Sequence, residues 1–192
     1  MNFNPLLLDI PEQFSTRRLL VRAVSPGDGV LHLPALQESL HDLRQYLGDL
    51  SWVKEEPSPS NSEIYCRQNH GRFLQRTDLV YFMFDKNTQH LIGGIGLHRI
   101  DWSVPKFEIG YWCRVSSQGN GYVSEAVTAI TALAFDQLAA KRVEIRADDD
   151  NIASWRVAEK NSFVLEGILR NNYRNSVTEK LANLRVYAKI SI

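Results

Sequence analysis

A chain of 192 residues can bury one substantial core but is short for two ordinary domains, so a single domain over residues 1–192 is expected. Lys plus Arg and Asp plus Glu balance at 22 each. That balance excludes a global field favouring nucleic acid or an anionic membrane. At 44% hydrophobic and 23% charged residues, the composition is that of a soluble globular protein, and no apolar run approaches the roughly 20 residues of a membrane span. The two cysteines, Cys66 and Cys113, fall in different predicted elements without CxxC or Cys/His spacing. This argues against a disulfide framework or a zinc site and fits a reducing cytoplasm. Met1 to Gln13 lacks the basic start and apolar core of an export signal, so a cytoplasmic location is expected.

In chain order, residues 1–15 read as an irregular lead-in, with Leu6, Leu7 and Leu8 available to pack on the body. Arg18 to Val24 reads as a strand and Ser25-Pro26-Gly27-Asp28 as a turn. From Asp28 to Leu47, apolar residues recur at Val30, Leu33, Leu36, Leu40, Leu43 and Leu47 until Gly48 stops the pattern, which predicts one or two helices. Glu55 to Ser60 reads as a loop. Ser60-Asn61-Ser62-Glu63 has the form of a capping box with Ser60 as N-cap, opening a helix to about Arg76. Leu79–Phe84, Leu91–His98 and Lys106–Arg114 read as an antiparallel meander. Beyond a glycine turn, Val123, Ala126, Val127, Ile130, Leu133, Ala134 and Leu138 mark the buried face of a helix. Arg142–Ala147 reads as a strand parallel to Phe107–Val115. A short helix from Asn151 to Lys160 follows. Phe163–Leu165 and Leu184–Ala188 read as two last strands, joined by a linking segment that contains Asn171, Asn172 and Tyr173. The expected fold is α+β, with a mixed, mostly antiparallel sheet of about seven strands and one parallel crossover.

The most informative stretch is Gln118-Gly119-Asn120-Gly121 between a strand and a helix. Glycines let the backbone curl so that successive N–H groups converge on an anion, with the helix dipole behind them. On spacing alone, a pyrophosphate cradle and a plain helix-entry turn stay equally open. A dinucleotide-binding reading of Gly119-x-Gly121-x-x-Ser124 is disfavoured, because three antiparallel strands precede it and Ser124 replaces the third glycine.

Gln118-Gly119-Asn120-Gly121-Tyr122-Val123 resembles the Gln/Arg-x-x-Gly-x-Gly/Ala signature of the GNAT superfamily of N-acetyltransferases. Thr16 to Arg22, Glu108 to Trp112, Asn151 to Ser154, Glu159 to Phe163 and Glu166-Gly167 extend the resemblance over nearly the whole chain, most like the RimJ/RimL branch. Val123, Ser162 and Ala158 depart from it; Ala158 stands where many members carry a tyrosine that protonates the departing thiolate.

The resemblance implies a three-layer α/β/α domain with acetyl-CoA as co-substrate and no metal. It implies that Gln118, Gly119, Asn120, Gly121, Tyr122, Val123 and Ser124 meet the pyrophosphate. It also implies that the edge at Cys113, Arg114 and Val115 holds the pantetheine arm, with Asn151 and Ser154 beside it. Ser154 is the expected proton donor to the thiolate; a cap made by Ser154 and Asn151 stays an equal alternative. Glu108 is the expected base, with an ion pair as its alternative. Tyr173 stands where the branch places a glutamate, as a pocket wall or a substitute acid/base group. Cys113 as a covalent nucleophile is disfavoured, since no His or Asp accompanies it. Asp148-Asp149-Asp150 reads as an acidic turn and not a calcium loop. His98 could face the site from its strand, but a lone strand histidine is more often structural. Trp52, Trp102, Trp112 and Trp155 read as core or rim, with Trp52 and Trp102 also candidates for an acceptor groove. The implied acceptor is a protein N-terminal amine, such as that of a ribosomal protein, or a small amine. No direct nucleic-acid or membrane partner is expected, and the protein is expected as monomer or homodimer. The rival function is a catalytically silent acyl-CoA-binding module.

Overall fold

Eight strands form one mixed sheet: β1 (Gln13–Ser15), β2 (Leu19–Ala23), β3 (Leu79–Asp85), β4 (Leu91–Asp101), β5 (Lys106–Cys113), β6 (Arg142–Asp148), β7 (Val164–Arg174) and β8 (Leu181–Ile190). Their spatial order is β1-β2-β3-β4-β5-β6-β8-β7. The structure, a computed structural model, describes residues 4–191, so the first three residues of the predicted lead-in lie outside it. Helices α1 (Gly29–Leu47), α2 (Ser51–Lys54), α3 (Pro59–Leu74), α4 (Tyr122–Gln137) and α5 (Ile152–Lys160) complete the fold. Period-2 alternation sorts the strand side chains to two faces. One face holds Val80, Phe82, Phe84 and Trp112 with Ala35, Leu36, Leu43 and Cys66 of α1 and α3. The other holds Leu97, Phe107, Ile109, Val143 and Ile145 with Ala126, Val127, Ile130 and Ala134 of α4 and Ala158 of α5.

Several expectations change. The lead-in contributes an eighth strand, β1, which pairs with β2 through Gln13↔Arg22, Phe14↔Val21 and Ser15↔Leu20. Three residues are too few to show a period. Leu8 packs on the core while Leu6 and Leu7 are exposed. Asn171, Asn172 and Tyr173 belong to β7 and not to a linker. That strand lies at the sheet edge, is mostly exposed and carries two register shifts against β8, so no clean alternation marks it. The capping box is also reassigned. Ser58 is the N-cap of α3, with its Oγ accepting from Asn61 N at 3.0 Å and Pro59 at the first helical position. Glu63 instead accepts from the N–H groups of Gly27 and Gly29, capping α1 from a neighbouring helix.

Among the described residues the only parallel pair is β5 with β6, and it is short. Registered partners are Lys106↔Arg142, Phe107↔Val143 and Glu108↔Glu144, after which the strands separate. On the α1–α3 face an alternating ladder of charge crosses the sheet at this fork. Glu166 meets Arg142 at 2.5 Å, Arg142 meets Glu144 at 2.6 Å, Glu144 meets Arg146 at 3.0 Å and Arg146 meets Glu108 at 3.3 Å. Arg99 then pairs with Glu108.

Glu125 in the first turn of α4 ties that helix to the start of β2. It accepts from Thr16 Oγ1 at 2.5 Å, Arg18 N at 2.8 Å and Arg18 Nε at 2.7 Å. Burial raises the carboxyl pKa, but these hydrogen bonds more than reverse it, leaving it below its ordinary 4.5. Glu125→Gln is expected to cost about 2 kcal/mol of stability near neutral pH, read as a lower urea midpoint. A depressed acid contributes fully above its unfolded value and less as pH falls through the folded value. The gap between wild type and variant should therefore close below pH 4.5; a gap constant with pH would rule out this assignment.

Candidate active site

Where β5 leaves β6, main-chain groups lose their ladder partners. Arg114 N–H donates to Ile92 O of β4 at 2.8 Å. Strand alternation then aims the N–H and C=O groups of Tyr111 and Cys113 away from β4, into the gap. A cleft of about 2140 Å³ occupies this gap and reaches both faces of the sheet. Tyr111 and Cys113 share the α4–α5 face with Phe107 and Ile109, whereas Glu108, Gly110 and Trp112 share the opposite one.

Beyond β5 the chain makes a 3-10 turn at Val115–Ser117, then the glycine turn, then α4. Gly121 is the N-cap of α4 at φ +77°, in the left-handed region where a Cβ is strained. The N–H groups of Gly119, Asn120, Gly121, Tyr122, Val123 and Ser124 have no hydrogen-bond partner among the described residues. Six free donors in series at a helix N-terminus suit a phosphate or pyrophosphate. The turn is braced from outside. Arg18 Nη1 donates to Asn120 O at 2.9 Å, Asn120 Nδ2 donates to Gln118 O at 3.1 Å, and Tyr122 Oη donates to Asp85 Oδ2 at 3.0 Å. Ser124 Oγ accepts from Asn161 Nδ2 at 3.0 Å, which fixes α4 against α5. Val123 is half-buried against the core, so its bulk is absorbed there and its N–H stays free.

Three members of the implied set are placed differently from expectation. Gln118 N–H is spent on Val115 O at 3.1 Å, so the free series begins at Gly119. Val115 offers no free main chain, since its N–H donates to Ser39 Oγ at 3.1 Å. The Arg114 guanidinium turns away to Glu38 of α1 at 2.5 Å, and Glu38 also accepts from Ser116 N at 2.9 Å. Helix α1 thus staples the exit of β5, a long-range contact that no local spacing announces. Cys113 remains at the edge, but burial pushes its thiol up to about 11. It is a poor nucleophile.

Asn151 caps α5 by accepting from Ser154 N at 3.1 Å, so the capping reading of this pair holds as structure. Ser154 Oγ also lies 3.0 Å from Tyr111 Oη, and Tyr111 Oη donates to Ser154 O at 2.9 Å. Burial raises the Tyr111 phenol to about 12, more than the Ser154 contact lowers it. A hydroxyl pair therefore bridges the gap from β5 to α5. Tyr111 was visible in the sequence only as a strand aromatic. Ala158, one turn on, is fully buried in the core.

Glu108 is held by Arg99, and its Oε2 lies 3.3 Å from Arg146 Nε without forming a hydrogen bond. Two guanidinium groups flank this carboxylate, which favours the ion-pair reading over the base. Tyr173 donates to Asp148 Oδ2, and burial followed by this bond raises its phenol. It is a protonated wall of the cleft and not a proton acceptor. Asp148 also accepts from Asp150 N at 2.8 Å, and Asp149 pairs with Arg185 at 2.5 Å. Among the described residues no cluster of three His, Cys, Asp or Glu side chains could hold a metal ion.

Trp52 joins Tyr65, Trp112 and His32 in an aromatic box lining the cleft, with the His32 and Tyr65 rings stacked at 4.5 Å. Trp102 does not line it. Its indole donates to Arg76 O at 2.9 Å and packs edge-on against Phe107 at 5.2 Å, under the other face. Trp155 sits beneath the Arg185 guanidinium at 4.5 Å, with its indole donating to Asp149 O.

Residues 18–164 match the family model described as acetyltransferase (GNAT) domain. A relative in Bacillus subtilis, putative ribosomal N-acetyltransferase YdaF, is 37% identical over 80% of this chain and 81% of its own. Ribosomal-protein-serine acetyltransferase of Escherichia coli is 34% identical over 60% of this chain, a match that spans 63% of that relative's length. Among solved structures, RimL, a ribosomal L7/L12 α-N-protein acetyltransferase in complex with coenzyme A, superposes with a TM-score of 0.83 at 23% identity. That superposition covers 94% of this chain and 97% of the other. The microcin C7 self-immunity acetyltransferase MccE, in complex with acetyl-CoA and AMP, gives 0.83 at 19% identity, over 91% and 93%.

The raised Cys113 thiol carries a direct test. Against its ordinary 9.0, a value of about 11 leaves about a hundredfold less thiolate near neutral pH. Iodoacetamide should label the native protein about a hundredfold more slowly than the urea-unfolded chain, followed by intact mass. Comparable rates would contradict the burial of this thiol.

Proposed function

Because the chain belongs to the GNAT acetyltransferase family, we propose that it transfers an acetyl group from acetyl-CoA to a primary amine bound in the cleft. The observation that carries this reading is the conjunction at one fork of six free N–H donors and an unpaired strand edge. The donors from Gly119 to Ser124 would hold the pyrophosphate, and the Tyr111–Cys113 edge would run beside the pantetheine arm. Acetyl-CoA supplies an activated thioester whose acyl group passes to nitrogen. The chain's own residues orient the reactants and move protons. Ser154 Oγ–H is the proton donor to the departing sulfur and regains a hydrogen from the proton that the attacking nitrogen sheds, while Tyr111, 3.0 Å away, holds Oγ in place. This pair takes the place that a tyrosine at position 158 would fill. Asn151 keeps Ser154 in place through the helix cap. Glu108 and Tyr173 border the acceptor side, the first as fixed charge and the second as a wall.

The acceptor reading follows two of the relatives, one named a ribosomal-protein-serine acetyltransferase and the other a putative ribosomal N-acetyltransferase. A protein N-terminal amine, as of a ribosomal protein, suits a cleft open on the α1–α3 face. A cytosolic setting and a monomeric or dimeric state complete the reading. No helix among the described residues is long and apolar enough to cross a membrane.

The decisive measurement incubates the protein with acetyl-CoA and a panel of polyamines, aminoglycosides, amino acids and ribosomal N-terminal peptides, read by mass spectrometry. Acetylation of at least one peptide amine is expected; binding of acetyl-CoA without turnover of any amine would favour the silent module. Gly121→Ala should weaken coenzyme A binding about tenfold by calorimetry, the equivalent of roughly 1.4 kcal/mol of strain and misaimed donors. Ser154→Ala and Tyr111→Phe should each lower kcat with little change in the KM for acetyl-CoA. Unchanged kcat in both would remove the hydroxyl pair from proton transfer.

A further inference from the structure

A second group on the acceptor face is built into the floor of the cleft. His98 lies on β4, directly across from Glu108 of β5, the last β5 residue paired with β6. Its ring occupies space that two glycines leave open. A Cβ on Gly96 would come within 2.9 Å of His98 Nε2, and a Cβ on Gly110 within 2.8 Å of Cδ2 and 3.0 Å of Nε2. The imidazole therefore lies over the β5 backbone one residue before Tyr111, at the crotch of the fork.

Nδ1 lies 3.1 Å from Asp78 Oδ1, just ahead of β3. An ionised carboxylate accepts only, so Nδ1 carries the hydrogen and donates it, and in the neutral ring Nε2 is then the lone pair. That nitrogen has no hydrogen-bond partner among the described residues, and the side chain, 34% exposed, lines the cleft. The charges facing it are Asp78 and Glu108, with Arg99 and Arg146 behind Glu108. Glu108 is engaged by its two arginines, and Tyr173 by Asp148, so neither competes for the role.

We propose that His98 is the proton acceptor for the incoming amine and that Asp78 is its positioning residue. The ammonium gives one proton to Nε2: an N–H bond breaks, an Nε2–H bond forms, and the amine lone pair becomes free to attack. Once nitrogen bonds to the acyl carbon and the carbon–sulfur bond breaks, nitrogen releases a second proton, matched by the one the thiolate takes. The imidazolium returns its proton to solvent through the open mouth of the cleft. The proposal rests on the acetyl-transfer reading.

Two readouts on the full chain test it. In nitrogen-15 spectra recorded where the ring is neutral, the wild-type His98 should carry its hydrogen on Nδ1, and Asp78→Asn should move the population toward the Nε2–H form. A wild-type ring carrying its hydrogen on Nε2, or one indifferent to Asp78→Asn, would overturn the proposal. With acetyl-CoA and a seryl-leading hexapeptide, His98→Gln should lose about a hundredfold in kcat/KM near neutral pH. Its KM for acetyl-CoA should hold, and the deficit should shrink as pH rises and the amine deprotonates unaided. A deficit that is absent, or that does not change with pH, would also overturn it. Failure of the wild type to acetylate any amine would strike the acetyl-transfer reading, while the spectra still decide the state of His98.

Discussion

The fork between β5 and β6 is the constraint on which the other features depend. Three registered pairs hold the strands together, and beyond Glu108↔Glu144 nothing does. An unpaired strand edge inside a sheet is costly unless its main-chain groups find partners. Here the loss is localised. The alternating ladder from Glu166 through Arg142, Glu144 and Arg146 to Glu108 fastens the closed end, and the Tyr111–Ser154 contact spans the open end. Between these limits lies a passage lined by unpaired main-chain donors and acceptors and open to both faces of the sheet.

The two faces are prepared by different means. On the α4–α5 face, preparation is a matter of backbone: a left-handed glycine at the N-cap, a run of unspent N–H groups, and side chains from distant strands that fix the turn. Arg18 and Glu125 act as a clamp there, joining the start of β2 to the start of α4. On the α1–α3 face, preparation is a matter of space. Gly94 admits the Trp112 indole, a Cβ there lying 2.4 Å from Nε1, while Gly96 and Gly110 admit the His98 ring. Small residues on the sheet floor thus decide which large side chains can lie flat beneath the cleft.

The strand ending at Cys113, the glycine turn and the helix after it were legible in the sequence because all are local: an aromatic strand, a glycine pattern and an apolar helical face in succession. Spacing could not show that the Val115 N–H and the Arg114 guanidinium are engaged. Their partners, Ser39 and Glu38, lie 76 residues away in sequence. Glu63 shows the same failure in a helix, where an apparent capping box instead caps a neighbouring helix because α1 and α3 lie side by side. Trp52 and Trp102 could not be told apart by composition. The face of the sheet on which each lies puts one in the cleft and the other in the core.

The sequence by itself determined the fold class, the parallel crossover, the glycine turn ahead of α4 and the family, since these rest on periodicity, glycine placement and short-range order. Only the tertiary structure decided which polar groups remain available for chemistry. Glu108, Arg114 and Tyr173 are spent on partners from other elements, while Tyr111 and Ser154 meet on one face of the fork and His98 lies over Gly96 and Gly110 on the other. Hydrogen-bond capacity is finite and is used by whichever groups the fold brings within about 3 Å, and that proximity is a property of the packed sheet and not of the spacing along the chain.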